Sequence, residues 1–208
     1  MSPDTGGFAV VLNRNAKKVT EKIEEISGEI VHPQDLFLSS SAEDSEKIAQ
    51  TLIERGYETV FAGGGDGTVM HLINQLARYP LEQQPAVGIL KLGTGNAMAR
   101  MVGSGNLAGD LQNYVRSETR DYLELSLVEA DGQRFPFAGL GIDAEILNDY
   151  KTVKENVGGS VMRPMVQSVG GYFLGIFART IPRRTTKALQ GKTSNVKAVV
   201  TKGKATQL

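Results

Sequence analysis

Gly63-Gly64-Gly65-Asp66-Gly67-Thr68 sets a carboxylate inside a glycine-rich turn, and that pairing of residue types speaks of phosphate chemistry. Glycine admits positive φ and has no side chain, so the chain can curl and aim backbone N–H groups at a phosphate near a helix's positive end. The N–H groups of Gly64, Gly65, Gly67 and Thr68 are the candidate cradle. An anion beside phosphates is unfavourable unless it organises Mg²⁺, takes a hydroxyl proton or caps a helix, and Asp66 is open to all three. The first two would make the loop a site of phosphoryl transfer. Downstream, Lys91-Leu92-Gly93-Thr94-Gly95-Asn96 is a second glycine loop, in which Thr94 and Asn96 can offer uncharged donors to phosphate or ribose, and Asn96 can also cap a following helix.

Both loops sit in the same setting. Tyr57–Ala62 and Ala86–Leu90 read as strands, whereas Val69, Leu72, Ile73 and Leu76 recur at helical spacing and Ala97–Met101 forms a short helix. Upstream, the pattern predicts a strand over Phe8–Asn13, a helix over Lys17–Ser27, a strand over Asp35–Leu38 and a helix over Ala42–Arg55. Alternation of this kind implies a parallel sheet whose strand ends open on one crevice. Ser39-Ser40-Ser41 follows the second strand, where a hydroxyl can cap the next helix or reach a nucleotide. A helix over Leu107–Ser117 comes next. Asp121–Glu129 then alternates like a half-buried strand, and Asp131-Gly132 turns a hairpin into Arg134–Ala138. This change of rhythm divides the chain into an α/β nucleotide-binding domain, residues 1–120, and a β-rich second domain, residues 121–208, with a helical insertion near 161–181.

Neither the P-loop pattern Gly-x-x-x-x-Gly-Lys-Ser/Thr nor, in either glycine loop, the dinucleotide pattern Gly-x-Gly-x-x-Gly occurs. Three ordered segments, Gly64–Thr68, Leu92–Arg100 and Gly139-Leu140-Gly141-Ile142-Asp143-Ala144, instead resemble the diacylglycerol kinase catalytic domain family, which includes sphingosine kinases and bacterial lipid kinases. The resemblance implies an α/β domain followed by a β-sandwich, with ATP and a lipid meeting between them, and hence an ATP-dependent lipid kinase using Mg²⁺. It further implies that Asp66 is catalytic, that Asn13 and Ser39 contact the nucleotide and that Asp143 faces the lipid headgroup; the metal ligands stay unassigned. Members of the family generally run roughly a hundred residues further, so the sandwich is expected to be incomplete here. The first turn, Asn13-Arg14-Asn15-Ala16-Lys17, lacks the family's proline and glycine, and Met70-His71 stands where Asn-Glu is common. Those departures keep a rival reading alive, a non-catalytic nucleotide-binding protein of the same fold. An NAD kinase-like enzyme would share only the Gly-Gly-Asp-Gly loop.

Composition constrains less. With 208 residues, 40% hydrophobic and 22% charged, the chain can bury a sizeable core. It has no cysteine, which excludes disulfides, thiol nucleophiles and thiolate metal sites, and its two histidines, His32 and His71, read as ordinary surface or packing residues. The amino terminus has no signal-peptide pattern, so cytoplasmic residence is expected. Net charge is zero but unevenly placed: residues 1–150 hold 12 Lys+Arg and 22 Asp+Glu, residues 151–208 hold 11 and 1. In the basic portion, apolar residues from Val161 to Phe177 recur at helical spacing before Arg179, Arg183 and Arg184, too interrupted to span a bilayer. Peripheral association with an anionic membrane surface carrying the lipid substrate is expected, without nucleic acid; homo-oligomerisation stays open.

Overall fold

β1 (Phe8–Asn13), β3 (Thr59–Gly64) and β4 (Ala86–Lys91) are almost uninterrupted apolar runs, because each is covered from both sides. With β2 (Leu36–Ser39) they form one parallel sheet in the order β2-β1-β3-β4, in a computed structural model that describes residues 7–137. Register is set along β1, where Val10 faces Leu36 on one side and Phe61 on the other. Alternate residues of each strand point to opposite faces. Ala9, Val11, Val60, Ala62 and Ile89 meet α2 (Ala42–Arg55) and α3 (Asp66–Leu76), while Val10, Leu12, Phe61 and Leu90 meet α1 (Glu21–Ile30) and α5 (Leu107–Arg116). Two cores therefore clamp the sheet, which fixes the strand ends rigidly enough to present side chains.

The fold agrees with the expected α/β class, and two elements differ most in extent. The first helix begins at Glu21, later than the spacing suggested, because the chain turns through residues 14–20 with Ala16 N–H on the Asn13 carbonyl and Val19 N–H on that of Ala16. The expected strand over Asp121–Glu129 is corrected to β5, Val128–Ala130, which among the described residues pairs with β6, Gln133–Phe135, across the Asp131-Gly132 turn. Residues 121–127 alternate in hydrophobicity yet pair with no strand among the described residues, and Tyr122 and Leu123 are exposed. A period of two is an offer to a sheet face, and it forms a strand only where a neighbour supplies the backbone partners. Asp131 and Gly132 both have positive φ, the left-handed pair that closes a two-residue hairpin.

All described residues fall within one compact unit. Asp143, the 161–181 segment, Arg179, Arg183 and Arg184 lie outside the described residues.

Candidate functional site

The sheet's winding reverses between β1 and β3, since the chain leaves β1 toward β2 and then returns past it to β3. In open α/β sheets a ligand crevice forms beyond the carboxyl ends of the strands at such a reversal. Here those ends are sewn together by side chains. Asn13 Nδ2 donates to Thr68 Oγ1 at 2.9 Å, spanning the reversal from β1 to the first turn of α3. Asn13 Oδ1 accepts the Asn15 N–H at 2.9 Å, and Asn15 Nδ2 donates to the Ser40 carbonyl at 2.6 Å, tying the β1 exit to the β2 exit. Because Thr68 accepts from Asn13, its own hydroxyl proton is left for an acceptor in the cleft.

A cleft of about 490 Å³ opens there. Val11, Ala62 and Leu72 supply an apolar floor; Asn13, Asn15, Ser39, Ser41, Thr68 and His71 supply hydroxyl, amide and imidazole walls. Among the described residues no Asp, Glu, Lys or Arg lines it, so the groups they offer an entering anion are dipoles, hydroxyls and the His71 imidazole.

Two helices start at this cleft, and only one is closed. α2 begins with a complete capping box: Ser41 Oγ accepts the Asp44 N–H at 3.0 Å, and Asp44 Oδ2 accepts the N–H groups of Ser40 and Ser41. Those backbone donors, Ser40's foremost, hold the Asp44 carboxyl below its usual range. α3 begins differently. Its N-cap is Gly65, which has no side chain to offer, so the first-turn N–H groups of Asp66 and Gly67 have no intrahelical acceptor and no cap. α3 therefore lacks the side-chain cap that closes α2, and the anion at its first turn is Asp66 itself.

Asp66 is the first residue of α3, not its N-cap, and its side chain crosses to the second glycine loop. Asp66 Oδ1 accepts the Met98 N–H at 2.9 Å, capping α4 (Ala97–Met101) from another element. The loops are in van der Waals contact: a Cβ on Gly93 would lie 2.2 Å from Gly65 Cα, and one on Gly95 3.1 Å from Asp66 Oδ2. Gly64 is needed for a similar reason, since a Cβ there would meet Thr68 Oγ1 at 2.5 Å and dislodge the residue that Asn13 holds. None of Gly63, Gly64, Gly65 or Gly67 has positive φ. Close approach rather than left-handed backbone explains Gly63 and Gly64, whereas a Cβ on Gly65 or Gly67 would meet nothing closer than 3.5 Å, which corrects the conformational expectation.

Of the residues singled out from the sequence, Asn13, Ser39, Gly67 and Thr68 meet in the cleft. Gly64, Gly65 and Asp66 precede Gly67 in the same turn but do not line the cleft, and the Asp66 carboxylate is directed to Met98 N–H in the second glycine loop's helix. Thr68's N–H is corrected out of the phosphate cradle, because it donates to the Gly65 carbonyl at 2.9 Å; the hydroxyl is the group that remains. Asn96 is likewise turned inward. Only 4% exposed, its amide accepts from Gly93 N–H at 2.8 Å and donates to the Gly93 carbonyl at 2.7 Å, while its backbone takes the left-handed conformation that asparagine tolerates. Asn96 therefore braces its own loop, and the side chain that caps α4 is Asp66. Thr94 is exposed on the same loop. Among the described residues no group of three His, Asp or Glu is placed to hold a metal ion.

His71, Asn15 and Ser45 line the cleft without having been singled out as site residues, and Ser41, from the serine run that was, takes the capping role. For His71 the signal was its position four residues after Gly67, which puts both on one helical face.

The sequence profile of the diacylglycerol kinase catalytic domain matches residues 8–125. Over 103 residues the chain is 31% identical to the probable lipid kinase YegS-like of Cronobacter sakazakii, covering 48% of this chain and 33% of that protein. Over 93 residues it is 29% identical to the diacylglycerol kinase of Bacillus subtilis, covering 45% and 29%. Over 148 residues it is 24% identical to diacylglycerol kinase 2 of Arabidopsis thaliana, covering 61% and 21%. The matched segments thus span a third or less of these relatives.

Proposed function

This chain belongs to the diacylglycerol kinase catalytic domain family, and from that premise we propose that it binds ATP in the Asn13–Thr68 cleft and serves an ATP-dependent lipid kinase that moves the γ-phosphoryl group to a lipid hydroxyl. The observation that supports this best is the uncapped amino terminus of α3 beside a cleft whose other helix is closed by its own side chains. A phosphate seated there would take the N–H groups of Asp66 and Gly67 and the Thr68 hydroxyl. The nucleoside would extend over Val11, Ala62 and Leu72, with Asn13, Asn15, Ser39 and His71 within the same walls.

Asp66 has one oxygen on Met98 N–H and a second beside Gly95, next to the phosphate-binding turn. That second oxygen is the group to accept the acceptor alcohol's proton or to hold Mg²⁺. Mg²⁺ is commonly bound by one or two carboxylates plus substrate phosphates, so a lone Asp66 suits an ion brought in with ATP. Mg²⁺ would neutralise phosphate charge during transfer. Thr94, exposed on the facing loop, remains a candidate phosphate donor.

The acceptor is proposed to be a lipid at an anionic membrane surface, reached peripherally. Among the described residues no helix is long and apolar enough to cross a membrane, and residues 151–208 carry 11 basic against 1 acidic residue. Basic residues near an anionic surface contribute about 1 kcal/mol each, lost with salt. Isothermal titration with Mg-ATP, followed by radiolabelled transfer across diacylglycerol, sphingoid base and ceramide, tests the whole reading. Saturable ATP binding with transfer to one of these lipids is expected; binding without transfer favours the non-catalytic reading, and transfer to NAD alone would replace the lipid with a soluble acceptor.

A further inference from the structure

Asn74 makes three hydrogen bonds, and two of them reach a residue 60 positions away. Its Nδ2 donates to the Arg134 carbonyl at 3.0 Å and its Oδ1 accepts the Arg134 N–H at 2.8 Å, so one side-chain amide occupies both backbone groups of this β6 residue as a neighbouring strand would. The remaining Nδ2 proton goes to the Met70 carbonyl at 2.9 Å, one helical turn back, which fixes the rotamer that aims the amide.

The hairpin needs such a tie. β5 and β6 have three residues each, and two-stranded hairpins of that size are marginal alone. Val128 and Phe135 are exposed, and the Arg134–Glu129 ion pair at 3.7 Å lies at the surface, where such pairs contribute little. Leu127 packs against the core beside α3, but an apolar contact alone does not set register. The paired backbone bonds to Asn74 do. At the other end of the same helix stands Asp66, eight residues earlier, or about 12 Å along a rigid rod.

We propose that Asn74 is a positioning residue that registers the β5–β6 hairpin against the helix whose amino terminus binds phosphate, and that this register supports alignment of the acceptor with Asp66. This rests on the kinase reading above for its functional part, while the latch itself does not. The recognition is of main chain, so the identity of the side chain at 134 is immaterial to it.

The test compares Asn74→Leu, near in size and a good helix former, with Arg134→Ala, which leaves the backbone pair intact. Asn74→Leu should speed amide exchange at Arg134 by about tenfold or more, as a hydrogen-bonded group becomes free to open. It should leave Mg-ATP affinity within about twofold and cut lipid phosphorylation by roughly ten- to a hundredfold through turnover, as expected when reacting groups shift by an ångström. Arg134→Ala should match the parent in all three. Unchanged exchange in Asn74→Leu overturns the latch. Faster exchange with undiminished turnover, or a parallel fall in ATP affinity, overturns the positioning role. A parent protein that does not bind Mg-ATP refutes the nucleotide reading instead, and the exchange measurement still decides the latch.

Discussion

Replacing Asp66 removes two things that can be separated. One is a charge near developing phosphate chemistry; the other is the acceptor for Met98 N–H at 2.9 Å, the side-chain cap of α4. Asp66→Asn keeps an Oδ1 in place and loses the charge, whereas Asp66→Ala loses both. Both variants forfeit the favourable placing of an anion at the first turn of α3, about 0.3–1 kcal/mol. The alanine variant forfeits in addition a cap worth on the order of 1 kcal/mol. For a chain of this size each kcal/mol moves Tm by about 2–4 °C. Asp66→Asn should therefore melt close to the parent, and Asp66→Ala a further 2–4 °C or so lower by the same conversion. Phosphoryl transfer should fall by at least about a hundredfold in both, the usual scale for removing a proton-transfer group. Scanning calorimetry and radiolabelled transfer to lipid measure the two effects independently. Activity of Asp66→Asn within a few-fold of the parent would refute the chemical role, and equal melting of the two variants would refute the cap.

Gly93→Ala should be far more damaging than Gly65→Ala, because the new Cβ would sit 2.2 Å from Gly65 backbone in the first case and 3.5 Å from Gly93 in the second; overpacking of this sort costs about 1–3 kcal/mol, read as a lower denaturation midpoint. Gly67→Ala meets no atom within 4 Å and has ordinary helical backbone, so it should stabilise the fold by up to about 1 kcal/mol of helix propensity, read as a higher Tm, while weakening Mg-ATP binding in calorimetry, since it crowds the proposed phosphate. Tyr57→Phe strands the buried Asp35 carboxylate, which accepts the phenol at 2.5 Å, and should cost about 1–3 kcal/mol in urea unfolding. Burial, then the bond to Asp35, raises the Tyr57 phenol above its ordinary pKa of 10.0, so this stabilisation is present below that pH and lost as pH rises through the raised value; the parent and Tyr57→Phe should converge in stability on the alkaline side. Arg183→Glu/Arg184→Glu should reduce pelleting with anionic vesicles, with salt doing the same to the parent, and should leave ATP affinity unchanged.

The sheet and the glycine loops were legible because they are written locally. An apolar run such as Val60-Phe61-Ala62 can be stable only between two covered faces, and a glycine turn entering a helix at Asp66 limits what the backbone can meet there. Order along the chain then put β3 and β4 side by side, which brought both loops together as expected. Partnership across the chain was not written locally. That Asn13 reaches Thr68, 55 positions away, that Asp66 caps α4 rather than its own helix, and that Asn96 is spent on Gly93 all depend on where rigid elements converge. The glycines show the same division: their presence marked a tight site, but only the packed loops reveal that it is Gly93 against Gly65, and not left-handed φ, that forbids a side chain. Residues 121–127 alternate without becoming a strand, and Asn74, unremarkable in a helix, takes both backbone groups of Arg134 in β6. Periodicity records which side of an element is buried; which atoms lie across from it is decided when the elements pack.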